Sequence, residues 1–317
     1  IDKPSVDSFL STSSREFKDE NLKTTGFTQR LWISTTNKWG PNALEAISNQ
    51  NPPVTRINLY NLVEAPIDWG KLEQGIHGVN ARTEKKKLYP HVLEVREKVV
   101  EYFNENERGR LIMACGTGKT ITSLKIAEKY TEGKGTVLFL VPSIALIGQT
   151  LREWTSQADE PINPICICSD PEITKKKNTN DQDLTSTIDL AWPASTDSNY
   201  ILKQFQHYKV NGNSGMTVVF STYQSIDVIS KAQKVLLKNG FPEFDLIICD
   251  EAHRTTGYTE AGMDDSAFVK VHDGDFIKSK KRLYMTATPR LYNVEAKSAA
   301  AKKEVPLWSR EDEQHLE

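Results

Sequence analysis

From residue 110 onward the apolar residues gather into short unbroken runs. "RLIMAC" (110–115), "TVLFLV" (136–141), "PICICS" (164–169), "MTVVFS" (216–221), "FDLIIC" (244–249) and "RLYMTA" (282–287) each have the length of a strand buried on both faces. Between these runs the period changes. In "HVLEVREKVVEYFNEN" (91–106), Val92, Val95, Val99 and Phe103 share one face of a helix. "KTITSLKIAEKYTEG" (119–133), which Gly133 stops, and "LIGQTLREWTSQ" (146–157) also read as helices, and "SNYILKQFQHYKV" (198–210) precedes the fourth run. Apolar strands alternating with helices predict an α/β fold, a doubly wound parallel sheet covered on both faces.

A smaller α/β segment comes first. "TQRLWIS" (28–34) reads as a strand, "GPNALEAISNQ" (40–50) as a short helix with Pro41 in its first turn, and "VTRINLYNL" (54–62) as another strand. Gly70–Lys87 is glycine-rich and then basic, and reads as a linker. Residues 170–215 interrupt the main sheet with a polar stretch of no clear period, the pattern of a surface insertion. The expected organisation is a segment 1–69, a linker 70–87, a sheet domain 88–293 and a tail 294–317.

Composition narrows the picture only a little. At 317 residues, 38% hydrophobic and 26% charged, this is the make-up of an ordinary globular chain. No apolar run reaches the ~20 residues of a membrane helix, and the N-terminus has no signal-peptide pattern. The net charge of −2 does not advertise a nucleic-acid partner, although a local basic track would suffice for one. Cys115, Cys166, Cys168 and Cys249 lack zinc-site spacing and read as reduced thiols of a cytoplasmic protein. The chain starts at Ile1 rather than a methionine, as a piece of a longer protein would.

Two stretches carry chemistry. "ACGTGKT" (114–120) follows a strand and opens a helix, the context of a phosphate loop. Gly116 and Gly118 permit a tight turn whose N–H groups face phosphate oxygens, with Thr117 between them, and the helix N-terminus adds partial positive charge. Lys119 supplies a point charge and Thr120 a hydroxyl for Mg²⁺. The usual first glycine of the motif is Met113 here, and a glycine turn between strand and helix needs no ligand, so the loop is not decisive alone. The second stretch, "FDLIICDEAHR" (244–254), ends a buried strand with two carboxylates and a histidine. Parallel strands deliver their following residues to one edge of the sheet, so Asp250 is placed to hold Mg²⁺ and Glu251 to activate water. A solvated polar turn is the plainer alternative for His253 and Arg254.

With "TATP" (286–289), "LVPSIALIGQT" (140–150) and "STYQS" (221–225) in the expected order, these segments resemble the motifs of superfamily 2 DEAH-type helicases and translocases over roughly residues 88–293. The resemblance implies a first RecA-like motor lobe that uses ATP and Mg²⁺. It implies that Gly116, Thr117, Gly118, Lys119 and Thr120 hold the triphosphate, Thr120 and Asp250 the metal, and that Glu251 with Asp250 is catalytic. His253, Thr286 and Thr288 would couple the nucleotide to movement. Ser143, Thr222 and Gln224 would lie near a nucleic-acid backbone. Where many members carry an adenine-reading glutamine, "LYPHV" (88–92) has Val92, which leaves Tyr89 or His91 as substitutes.

"TGFTQRLWISTTNKWGPNALEAI" followed by "INLYNLVEAPIDW" resembles the closing strand–helix–strand part of Mrr-like nucleases. The plainer alternative is an α/β accessory segment without chemistry of its own. A nuclease fused ahead of a DEAH motor resembles type ISP restriction-modification enzymes and similar phage-defence proteins. That resemblance implies ATP-dependent movement on double-stranded DNA. It also implies a second RecA-like lobe, methyltransferase and target-recognition domains in the same full-length chain, and slow or absent turnover by these residues alone. An RNA helicase lobe and a nucleotide-dependent switch without translocation are the alternatives.

Overall fold

The computed structural model describes residues 1–168 apart from 21, 28 and 49, residue 190, and residues 194–210, 215–255 and 266–288. Most of the insertion expected at 170–215, the tail 294–317, and Pro289 of "TATP" lie outside the described residues. The chain divides into two compact units between Lys85 and Lys86.

The first unit opens with α1 (Lys3–Ser13), capped by Asp2, whose side chain accepts from the Ser5 N–H. A two-residue antiparallel pair follows, β1 (Phe17–Lys18) with β2 (Thr24–Thr25). Then β3 (Arg30–Ile33), α2 (Pro41–Ile47) and β4 (Val54–Ile57) form a parallel strand–helix–strand unit. Its core is Val6, Ala43, Ile47 and Val54, with Phe9, Trp32 and Trp39 packed against it. The strand expected over 54–62 stops at Ile57. Asn58 turns the chain, its N–H donating to Asn61 Oδ1 at 2.9 Å, and α3 (Leu59–Val63) follows. The stretch read as a linker holds ordered elements: α4 (Trp69–Glu73), a 3₁₀ turn (Gly78–Ala81) and a bridge from Ile67 to Arg82. Asp68 caps α4 by accepting from the Lys71 N–H, a local signal that the glycines and lysines mask.

The second unit contains α5 (Pro90–Glu105), β5 (Arg108–Ile112), α6 (Lys119–Thr131), β6 (Thr136–Val141), α7 (Ile144–Gln157), β7 (Asn163–Ile167), α8 (Ser198–Val210), β8 (Thr217–Thr222), α9 (Ile226–Lys238), β9 (Phe244–Cys249), α10 (Ser266–Val269) and β10 (Ser279–Thr286). Six strands form one wholly parallel sheet in the order β5-β10-β9-β6-β8-β7. This is the RecA-like doubly wound arrangement expected from the alternation of apolar runs and helices. The central strand β6 is apolar after Thr136, and Val137–Val141 are all buried between β8 and β9. Trp154 of α7 packs edge-on against Phe139 and Phe220 from two neighbouring strands. Among the described residues no helix is long and apolar enough to cross a membrane.

One strand departs from expectation. "RLIMAC" is not a fully buried run: β5 starts at Arg108, ends at Ile112 and alternates in burial. Among the described residues it pairs with β10 alone and lies at one edge of the sheet, with Gly109 and Leu111 as its buried positions. The register of β10 matters most for the site. Thr286 pairs with Ile112 and Tyr284 with Cys249, so β5, β10 and β9 end side by side at one edge.

Candidate nucleotide site

At that edge β5 gives way to the glycine turn. Met113 donates its N–H to the Thr286 carbonyl at 3.1 Å, tying the start of the turn to the end of β10. Gly116 and Gly118 have φ of +78° and +90°. A Cβ on Gly118 would come 3.1 Å from Ile121 Cγ2, in addition to the strain of a left-handed backbone. Thr117 closes the turn by donating its hydroxyl to the Ala114 carbonyl at 2.7 Å. Lys119 and Thr120 then open α6, where no side chain caps the helix, and their side chains are partly exposed. The Thr120 carbonyl accepts from Trp154 Nε1 at 3.2 Å and from the Ser123 hydroxyl at 2.7 Å, which anchors the helix start to the core.

Asp250 emerges from β9 with its N–H donating to the Leu140 carbonyl at 2.9 Å. Burial pushes its carboxyl up to about 6, and the neighbouring Glu251 charge adds to this. The Glu251 N–H, which donates to Oδ1 at 3.0 Å, and the charges of Lys119 and His253 oppose it. Glu251 itself has φ +48°, a left-handed conformation that costs about 1–2 kcal/mol for a residue with a Cβ and turns its backbone away from that of Asp250. The carboxylate lies 3.3 Å from His253 Nδ1. The same nitrogen is 2.9 Å from the Thr286 hydroxyl and 3.5 Å from that of Thr288, whose own N–H donates to Thr286 Oγ1 at 3.1 Å.

The donor set fits a triphosphate with a divalent cation. Two positive-φ glycines lead into an uncapped helix start, a lysine stands beside it, and a cation would favour the ionised form of the half-buried Asp250 carboxyl, which desolvation pushes up to about 6. Among the described residues no three His, Cys, Asp or Glu side chains converge as a metal cage.

The other expected residues are less uniformly placed. Ser143 is exposed and caps α7, accepting from the Leu146 N–H at 3.4 Å. Gln224 is exposed, but Thr222 is buried and its hydroxyl donates to Ser225 Oγ at 3.3 Å. His91 lies with Nε2 2.9 Å from the Thr117 carbonyl, so it braces the glycine turn, while Tyr89 stacks on it at 5.6 Å and is 66% exposed. Two residues to which the motif reading gives no role make further contacts nearby. Tyr223 donates its hydroxyl to the Asp250 carbonyl at 2.8 Å, and His272 bridges Thr255 and Tyr284. Tyr223 lies within "STYQS", but no local pattern singles out either contact, because each is made across strands.

This architecture and edge constellation define a helicase-type ATP-binding lobe. Residues 85–291 match the family described as type III restriction enzyme, res subunit, and the chain belongs to that family. Residues 1–79 match a second family, described as restriction endonuclease. Among solved structures, the chain is similar to the ATP-dependent type ISP restriction-modification enzyme LlaBIII bound to DNA. That likeness has 36% identity and a TM-score of 0.78, over 99% of this chain and 19% of the other. It is also similar to a nuclease-deletion mutant of the type ISP enzyme LlaGI in complex with a DNA substrate mimic, with 41% identity and a TM-score of 0.52 over 72% of this chain and 19% of that one. A curated relative, "Probable helicase A859L" of African swine fever virus (isolate Pig/Kenya/KEN-50/1950), is 27% identical over 252 residues, 78% of this chain and 25% of the relative. The chain thus spans a quarter of that relative's length and about a fifth of the two structures it resembles.

Proposed function

We propose that this chain carries the ATP-hydrolysing lobe of a double-stranded DNA translocase within a restriction-modification enzyme. The observation that supports this most is the shared contact of Glu251 and Thr286 with one nitrogen of His253. It places the residue that would activate water in touch with the strand end that would sense movement. Bound ATP and Mg²⁺ would supply the phosphoanhydride to be cleaved and the charge that offsets its oxygens. Gly116, Thr117, Gly118, Lys119 and Thr120 would hold the phosphates, Asp250 and Thr120 the metal, and Glu251 would take the proton from water. His253, Thr286 and Thr288 would report the state of the site. The exposed ring of Tyr89, backed by His91, offers a face for adenine. Ser143 and Gln224 would meet the DNA backbone, and Thr222 would shape their turn rather than touch it.

The DNA bound to LlaBIII and the DNA substrate mimic in complex with LlaGI support a DNA partner. A second RecA-like lobe supplying arginine, with methyltransferase and target-recognition domains, would complete the machine. Residues 1–317 alone would then hydrolyse ATP very slowly, because such an arginine is worth on the order of 10³–10⁵ in turnover. Cys115, Cys166, Cys168 and Cys249, held as reduced thiols, would suit a reducing cytoplasm. The test is phosphate release by the enzyme at its natural length with duplex DNA, single strands or RNA. Stimulation by duplex alone is expected. Stimulation by RNA would favour an RNA helicase lobe, and stimulation by none of the three would favour a nucleotide switch.

A further inference from the structure

We infer that Tyr223 is a positioning residue that links the turn after β8 to the peptide plane joining Asp250 and Glu251. This inference rests on the translocase reading above. Tyr223 sits in the 3₁₀ turn Tyr223–Ser225, next to the exposed Gln224, yet its own side chain is wholly buried. Its ring packs against Phe268 of α10 at 4.8 Å. Its hydroxyl reaches across the end of β6, which separates β8 from β9 in the sheet, and donates to the Asp250 carbonyl at 2.8 Å.

That carbonyl belongs to the peptide whose N–H is on Glu251. The other side of Asp250 is fixed by the bond from its N–H to Leu140. The Asp250–Glu251 peptide has a second restraint, the bond from its N–H to Asp250 Oδ1. The Glu251 backbone is held at φ +48°, where it has little intrinsic reason to stay. Rotation of this one peptide plane changes ψ of Asp250 and φ of Glu251 together, and carries with it the N–H that holds Asp250 Oδ1. Tyr223 is therefore the side chain through which a displacement of the Gln224 turn reaches both the metal carboxylate and the water-activating one. A tyrosine that only filled the core could have satisfied its hydroxyl with any nearby carbonyl. This one uses the carbonyl between the two acidic residues.

The test uses the enzyme at its natural length. Tyr223→Phe removes one oxygen and keeps the ring on Phe268. Duplex affinity should stay within about twofold, while turnover at saturating duplex falls about tenfold or more, a loss in kcat rather than in KM for Mg²⁺–ATP. Should Tyr223→Phe lower the melting temperature into the assay range, Phe268→Leu leaves the hydroxyl in place, loosens the ring's seat and should show a smaller loss of the same kind. A duplex-stimulated wild type with equally stimulated Tyr223→Phe, or Phe268→Leu where that variant is needed, overturns the linkage alone. A wild type that duplex does not stimulate overturns the translocase reading and the linkage together.

Discussion

The Thr286 hydroxyl stands 2.9 Å from Nδ1 of His253, and the same nitrogen is 3.3 Å from the Glu251 carboxylate. One imidazole thus joins the end of β10 to the turn after β9. Thr286 is fully buried, so its hydroxyl has no solvent to compensate for a lost partner. If the three act as a unit, their effects on turnover will not add. His253→Ala and Thr286→Ala should each lower ATP turnover, and the double variant should lose little more than the worse single one. The coupling expected from a double-mutant cycle on kcat is about 1–3 kcal/mol. Additive losses would mean that the contact is incidental.

Nucleotide binding and hydrolysis should separate at Lys119 and Glu251. Lys119→Ala removes the main counter-charge of the proposed phosphate site and should abolish ATP binding in a filter or fluorescence assay. Glu251→Gln keeps the shape and removes the base, so it should retain ATP and lose about 10²–10⁴-fold in turnover. Wild-type turnover by Glu251→Gln would show that another group activates water.

The elements that were easiest to read from sequence were those whose burial is symmetrical. "TVLFLV" and "FDLIIC" match β6 and β9 residue for residue, and apart from Thr136 and Asp245 each of their residues is apolar and buried. β5 alternates in burial although its apolar residues run on unbroken from Leu111 through Met113, and edge position does not explain this, since the other edge strand, β7, is buried throughout. The turn from Asn58 into α3 was misread because two short apolar stretches ran together in sequence. α9 drew no notice, although its buried Ile226, Ile229, Ala232 and Leu236 show helical spacing. At the site, Gly116–Thr120 and Asp250–Glu251 were legible because each group lies on one contiguous stretch. Tyr223, His272 and the brace from His91 to Thr117 were not, since they depend on strand order and register that no local pattern encodes.

Lys125 offers a test of burial against surface electrostatics. It is 5% exposed inside α6, and its ammonium donates to Glu128 at 2.7 Å, Asp159 at 2.9 Å and the Gln157 carbonyl at 3.2 Å. Burial raises the Glu128 carboxyl above its ordinary range even with this partner present. Lys125→Ala would leave that carboxylate the Asp159 N–H but no counter-charge, and should cost about 3–5 kcal/mol. Lys86 also bonds a carboxylate, Glu153 at 3.1 Å, but is 65% exposed, so Lys86→Ala should cost less than about 1 kcal/mol. Denaturant midpoints of the two variants provide the comparison. Similar shifts in both would show that the Lys125 pocket is wetter than its geometry implies.

Acid should destabilise the fold through His272. His272 is stacked on Tyr284 at 5.0 Å, with Nε2 3.0 Å from the Thr255 carbonyl and Nδ1 3.0 Å from the Tyr284 hydroxyl. A carbonyl only accepts, so Nε2 carries the proton and Nδ1 accepts from Tyr284. The neutral ring is therefore fully satisfied. Burial pushes its pKa down to about 4, and the nearby Arg108 and Arg282 charges push the same way, against the bond to Thr255. The folded value lies below the ordinary 6.5, so between about 4 and 6.5 the unfolded chain binds a proton that the folded chain refuses. The contribution to stability is complete above pH 6.5 and lost as pH falls toward 4, roughly 3 kcal/mol across that window. Asp250 works in the opposite sense, since its raised carboxyl takes a proton more readily when folded. Comparison with His272→Gln cancels that term, because the amide can make both hydrogen bonds without titrating. Unfolding midpoints from pH 7.5 to 4.5 should fall more steeply for the unsubstituted protein than for the variant. Parallel curves would mean that His272 titrates alike in both states, and that its buried, neutral placement has been misassigned.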